Sequence, residues 1–218
     1  AELARAEAGL PQREITMQHW QHMQASALVE LYAGAPHKAV ELMDRRLPAM
    51  RRAFLFRIQA VRTFTTYVRV AGWLGALAQG TPRPERLVAA IERACDRVGS
   101  AGEIGTISAT FLVGAELAVL RGELDAAADG YRSAAAGFDD ADMALLAGAA
   151  RWRLGELLGG DEGRTLVAES RAALAAEGIG RPDRVVAMFV PVSADARLVR
   201  TRVRRVFSPA LTSSVADS

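Results

Sequence analysis

Lysine is almost missing from this 218-residue chain: Lys38 is the only one. A phosphate-cradling P-loop needs Gly-Lys-Ser/Thr, and Lys38 stands in Pro36-His37-Lys38-Ala39 without a glycine-rich loop. A protein kinase core needs a strand lysine, an HRD loop and a DFG triplet, and none is present. Cysteine is as scarce. Cys95 alone excludes an internal disulfide, and its helical spacing with Leu87, Ile91 and Val98 predicts a small buried hydrophobe. Long apolar runs are missing too, since none approaches the roughly 18–20 residues that cross a bilayer. The charged start, Ala1 to Glu7, lacks the apolar stretch of a secretory signal. Together these absences predict a soluble, cytoplasmic protein with no membrane span.

What is present is helix-forming. Half the residues are apolar, strand formers are few, and Ala, Leu, Arg and Glu are plentiful. The isoelectric point is about 9.1, yet net charge is only +2 and the basic side is nearly all arginine. So weak an excess gives no reason to expect a nucleic-acid partner. Apolar spacing at i, i+3 and i+4 recurs from end to end, broken by Gly and Pro. Met17, Trp20, Gln24, Ala27, Leu28 and Leu31 share one face before Gly34, and Pro36 opens the next helix through Leu47.

A long helix is expected from Pro48 to Gln79, with Phe54, Val61, Phe64 and Val68 as its inner stripe, Arg57 intruding, and a kink at Gly72 and Gly75. Pro84 starts another. Ile104, Ile107, Phe111, Ala115 and Ala118 mark the next, and Leu124 to Phe138 the cleanest. Asp139 and Asp140 are expected to cap the helix through Met143, Leu146 and Leu154; further helices carry Leu166 to Leu174 and start at Pro182. Short loops make these antiparallel neighbours. The expectation is all-α, about eight to nine helices, with packed pairs at 17–47, 50–98, 104–138 and 141–177. Residues 1–16 are a lead-in helix or linker, 17–191 the helical domain and 192–218 a basic, flexible tail.

From Ser108 the spacing carries a repeat. Phe111 is the large residue, Ala115 the small one where two helices cross, Gly122 the turn, and Ala127, Tyr131 and Ala134 line the second helix. This resembles the tetratricopeptide unit of about 34 residues, although Asp139 stands where that family has a proline. A weaker copy reads Trp20, Met23, Ala27, Gly34, Ala39 and Met43; the other two pairs keep only the length. The resemblance covers residues 17–177 and implies a right-handed α-solenoid whose concave groove binds peptides or helices.

The run from Ala150-Arg151-Trp152-Arg153-Leu154-Gly155-Glu156 through Gly159-Gly160-Asp161-Glu162-Gly163, then Gly178-Ile179, Arg181-Pro182-Asp183-Arg184 and Pro191, resembles the tail of large bacterial serine/threonine protein kinases. In that family this region is a non-catalytic helical repeat region, so no functional residue carries over. The resemblance implies a kinase domain upstream of Ala1.

Catalytic candidates fail one by one. Gly99-Ser100-Ala101-Gly102 lacks the strand and spacing of a nucleophile elbow. His19 and His22 lie at i, i+3 without a third ligand and read as surface or groove histidines. Asp139, Asp140 and Asp142 are too closely spaced for a Ca²⁺ loop. No catalytic residue, cofactor or metal is expected. From Arg45 to Arg83 there are eight arginines and no acid. At roughly 100° per residue Arg51, Arg62 and Arg69 project together, as a basic groove wall for an acidic peptide or phosphate. Arg57 falls on the apolar stripe and should need a buried carboxylate. The tail's Arg197, Arg200, Arg202, Arg204 and Arg205 make a modest basic amphipathic segment.

The function expected is a non-catalytic protein-interaction or regulatory module. Its partner would be a protein, a peptide or upstream domains of its own polypeptide. The alternatives are a helical sensor region of a transcriptional regulator and a small all-α enzyme.

Overall fold

The structure is a computed structural model and describes residues 2–11, 13–81, 84–99 and 104–193. The described residues form ten α-helices and no strand. They are α1 (Glu2–Ala8), α2 (Met17–Tyr32), α3 (Pro36–Arg52), α4 (Gln59–Gln79), α5 (Pro84–Gly99), α6 (Ile104–Arg121), α7 (Leu124–Asp140), α8 (Ala144–Leu158), α9 (Gly160–Ala176) and α10 (Pro182–Phe189). Among them no helix is long and apolar enough to cross a membrane.

Consecutive helices pack as hairpins: α2 on α3, α4 on α5, α6 on α7 and α8 on α9. The first helices also meet across hairpins, α2 with α4 and α4 with α6. Small residues set the closest approaches. A Cβ on Gly130 of α7 would lie 2.9 Å from the Cβ of Ala115 on α6, and one on Gly155 of α8 would lie 2.6 Å from the Gly163 carbonyl of α9. Backbones this close leave no room for a side chain, so these crossings hold only Gly or Ala.

Several expectations change. The long helix from Pro48 is two helices, because α3 runs through Pro48 to Arg52 and the chain then breaks at Phe54, whose φ is 59°. A 3-10 turn, Leu55–Arg57, leads into α4. The stripe therefore fails at Phe54 and Phe64, which are exposed, while Val61 and Val68 are buried. Arg57 finds no buried carboxylate; it is exposed and stacks on the Phe54 ring at 4.7 Å. Gly72 and Gly75 lie within one continuous helix, α4. They are buried where α3 approaches, and Cβ atoms there would lie 2.7 Å from Val40 and 2.8 Å from Pro36.

Asp139 and Asp140 belong to α7 and cap nothing. Asp139 pairs with Arg151, and Asp142 makes the turn at φ 55°. In α6, Ile107 and Phe111 are exposed, while Leu112 to Leu120 are buried almost all round apart from Gly114. A helix enclosed by α4, α5 and α7 needs no single apolar stripe.

After α10 the chain runs on into the core shared with α6 to α9. α10 packs on α2, α4, α8 and α9, and Val190 and Val192 are fully buried. The fold thus continues to Ser193, two residues beyond the expected boundary at 191. The arginines of the tail, and the Ser100–Gly102 turn, lie outside the described residues.

Candidate functional site

The break at Phe54 turns α4 beside the end of α3 and brings three arginines to one pocket. Arg51 comes from the last turn of α3, Arg62 and Arg69 from α4, and Arg97 from α5 joins them around a space of about 610 Å³. Thr63 and Thr66 share the lining, and no carboxylate belongs to it. The three side chains therefore converge from two helices and not from one face of a single helix. Arg51 stacks over Phe56 at 5.7 Å and has no ion pair among the described residues. Arg62 donates to the carbonyls of Phe56 and Arg57, at 2.9 and 3.0 Å, which closes the 3-10 turn and keeps its charge free of any carboxylate.

Arg69 differs from both. It stacks over Trp73 at 4.6 Å and pairs with Asp44, which lies one residue before the acid-free stretch. Its Nε is buried without a hydrogen-bond partner. Planar guanidiniums held on aromatic faces are partly pre-organised for a carboxylate or phosphate.

A second void of about 390 Å³ adjoins the arginine pocket, sharing residues of α4 and α5 with it. Its walls come from α2 (Leu28), α4 (Phe64, Tyr67), α5 (Cys95), α6 (Ala109, Val113) and the start of α8 (Leu145, Leu146). Cys95 is half-buried there, and burial pushes its thiol up to about 11, so it is no nucleophile near neutral pH. Phe189 closes one side: its ring is 6.2 Å from that of Tyr67, whose hydroxyl donates to the Phe189 carbonyl at 3.4 Å.

The strap that follows Phe189 is held by charges that the sequence reading missed. Arg153 of α8 donates to the Val190 carbonyl through Nε at 2.8 Å and Nη2 at 2.6 Å, and pairs with Glu156 at 2.7 Å. Glu156 also accepts from Trp152 Nε1 at 2.8 Å and from the Ser193 hydroxyl at 3.4 Å. Glu116 of α6 is 1% exposed and accepts from the Val192 amide at 2.8 Å. Burial pushes its carboxyl up to about 8, against the pull of that amide and of Arg153. The signal was a lone carboxylate within Phe111-Leu112-Val113-Gly114-Ala115-Glu116-Leu117-Ala118, where a buried acid needs a partner.

The histidines serve local structure. His19 is buried, not at the surface: its Nδ1 accepts from the Thr16 amide at 3.1 Å in a capping box at the start of α2. His22 Nε2 bonds the Leu3 carbonyl at 2.9 Å and ties down α1. Among the described residues no three His, Cys, Asp or Glu side chains converge as a metal site. No protein-family model, curated protein or solved structure matches this chain.

Proposed function

We propose that this chain is a non-catalytic interaction and regulatory module. In this reading it is a tetratricopeptide-like right-handed α-solenoid and the C-terminal region of a bacterial serine/threonine kinase signalling protein. The observation that carries the interaction reading is the convergence of Arg51, Arg62 and Arg69 on a pocket without a lining carboxylate. Repeated hairpins with Gly and Ala at their crossings support the solenoid reading, and the motif from Ala150 to Pro191 supports the kinase reading.

The pocket then receives acidic groups of a protein or peptide partner, or of upstream domains of the same polypeptide. Unpaired guanidiniums speed encounter with such a partner and give the interaction its salt dependence. A glutamate-rich helical peptide serves as the probe. The double variant Arg51→Gln, Arg62→Gln should capture it at least tenfold more weakly in fluorescence anisotropy; equal capture would overturn the assignment. ATP should produce no binding heat, because no phosphate-cradling loop is present. The apolar void favours a second reading, a helical sensor region that takes up a small effector.

A further inference from the structure

We infer that the arginine pocket and the apolar void form one binding site for a long-chain anion, a single hydrocarbon chain ending in a carboxylate. The inference rests on reading the pocket as an anion site and names what that anion carries. Both spaces are walled by the same four residues, Thr63 and Thr66 of α4 and Ala94 and Val98 of α5. Three of these side chains are small, so the wall between guanidiniums and hydrocarbon is thin. A small anion would leave the void unfilled, and a neutral hydrocarbon would leave Arg51 and Arg62 without a counter-charge.

The void also selects against peptide. A polypeptide buried there would need partners for each amide and carbonyl, and the lining offers very few. The Thr110 hydroxyl already donates to the Ile107 carbonyl at 2.6 Å, and the Tyr67 hydroxyl to Phe189. A methylene chain asks for no partner. The volume of about 390 Å³ falls within the range of small-molecule sites, about 300–1,000 Å³. Phe64, 60% exposed, leaves an apolar ring at the void's edge where such a chain would be covered. Head group and acidic partner use the same guanidiniums, so each excludes the other.

Calorimetry on the full chain with octanoate, decanoate and dodecanoate below their micelle concentrations tests this. Affinity should rise about fifteenfold for each two methylenes, because each buried methylene is worth roughly fourfold. Dodecyl maltoside, with the same chain and no charge, should bind at least tenfold more weakly. Arg51→Gln with Arg62→Gln should lose at least tenfold for dodecanoate, and Thr110→Trp, at the void's partly exposed edge, should abolish the chain-length dependence. Circular dichroism checks that both variants keep their helix. The inference is overturned if acetate binds as well as dodecanoate, if the maltoside binds equally, if the arginine variant binds normally, or if only anionic vesicles are bound. Capture of the glutamate-rich peptide without dodecanoate binding would sink this inference alone. Dodecanoate binding without peptide capture would instead sink the partner reading.

Discussion

The front and back of this molecule are packed on different principles. In front, α2, α3 and part of α4 share a core of Met23, Met43 and Met50 with Ala27, Ala39, Leu31 and Leu47. Methionine is unbranched and adaptable, and it fills irregular gaps between helices. Behind, α6 to α9 meet backbone to backbone at Ala115, Gly130, Gly155 and Gly163, around Tyr131 and Phe138. That half leaves little to rearrange. It also carries the buried ionisable groups Glu116 and Arg153, whereas the front presents its arginines to solvent around an open pocket. The rigid half holds the strap, and the adaptable half offers the binding surface.

The largest expected effect is on the back core. Phe138→Ala should destabilise by about 3–5 kcal/mol in urea titration, while Met43→Leu in the front should cost less than about 1.5 kcal/mol. Equal costs would erase the contrast. Next, Arg153→Met should cost about 3 kcal/mol, because it strips two bonds from the Val190 carbonyl and leaves Glu156 without its cation. Ending the chain at Pro191 removes the amide that Glu116 accepts, so the tail cannot be cut there without loss, contrary to the sequence-based boundary.

A pH effect sharpens the same contrast. Burial raises Glu116 from 4.5 to about 8, so between these values the folded chain holds a proton that the unfolded chain has lost. The stability from this group is full below about pH 4.5 and falls as pH rises to about 8. The melting temperature should drop by several degrees from pH 5 to pH 8, and Glu116→Gln should flatten that slope. A slope unchanged in the variant would show that Glu116 is not its source. The smallest effect belongs to the arginine pocket, where Arg51→Gln should change stability by no more than about 0.5 kcal/mol and Arg62→Gln, which also loses its bonds to the 3-10 turn, by no more than about 1.5 kcal/mol. A larger loss would make them structural and remove the case for a binding surface.

Local pattern was enough for the helices whose burial is one-sided. In α7, Ala127, Ala128, Tyr131, Ala134, Ala135 and Phe138 are buried as their spacing predicts; only Leu124 at its start is exposed. Pro36, Pro84 and Pro182 stand in the first turns where their missing amides cost nothing. Pattern failed in α6, where neighbours on several sides hide the period, and at Phe54, where neither Gly nor Pro announces the break.

Arg51, Arg62 and Arg69 were visible as an arginine-rich, acid-free stretch. Their meeting depends on the turn at Phe54, and the pairing of Arg69 with Asp44 on the way α4 lies along α3. The sequence by itself determined the all-helical class, most helix limits and Ala115 as a small residue at a crossing, since each follows from spacing within one or two turns of chain. Only the tertiary structure decided that Val190 and Val192 are core, that Glu116 answers the Val192 amide, and that the arginine pocket backs onto an apolar void. Those facts join residues up to 76 positions apart, and no local periodicity records which distant helix fills the space beside a side chain.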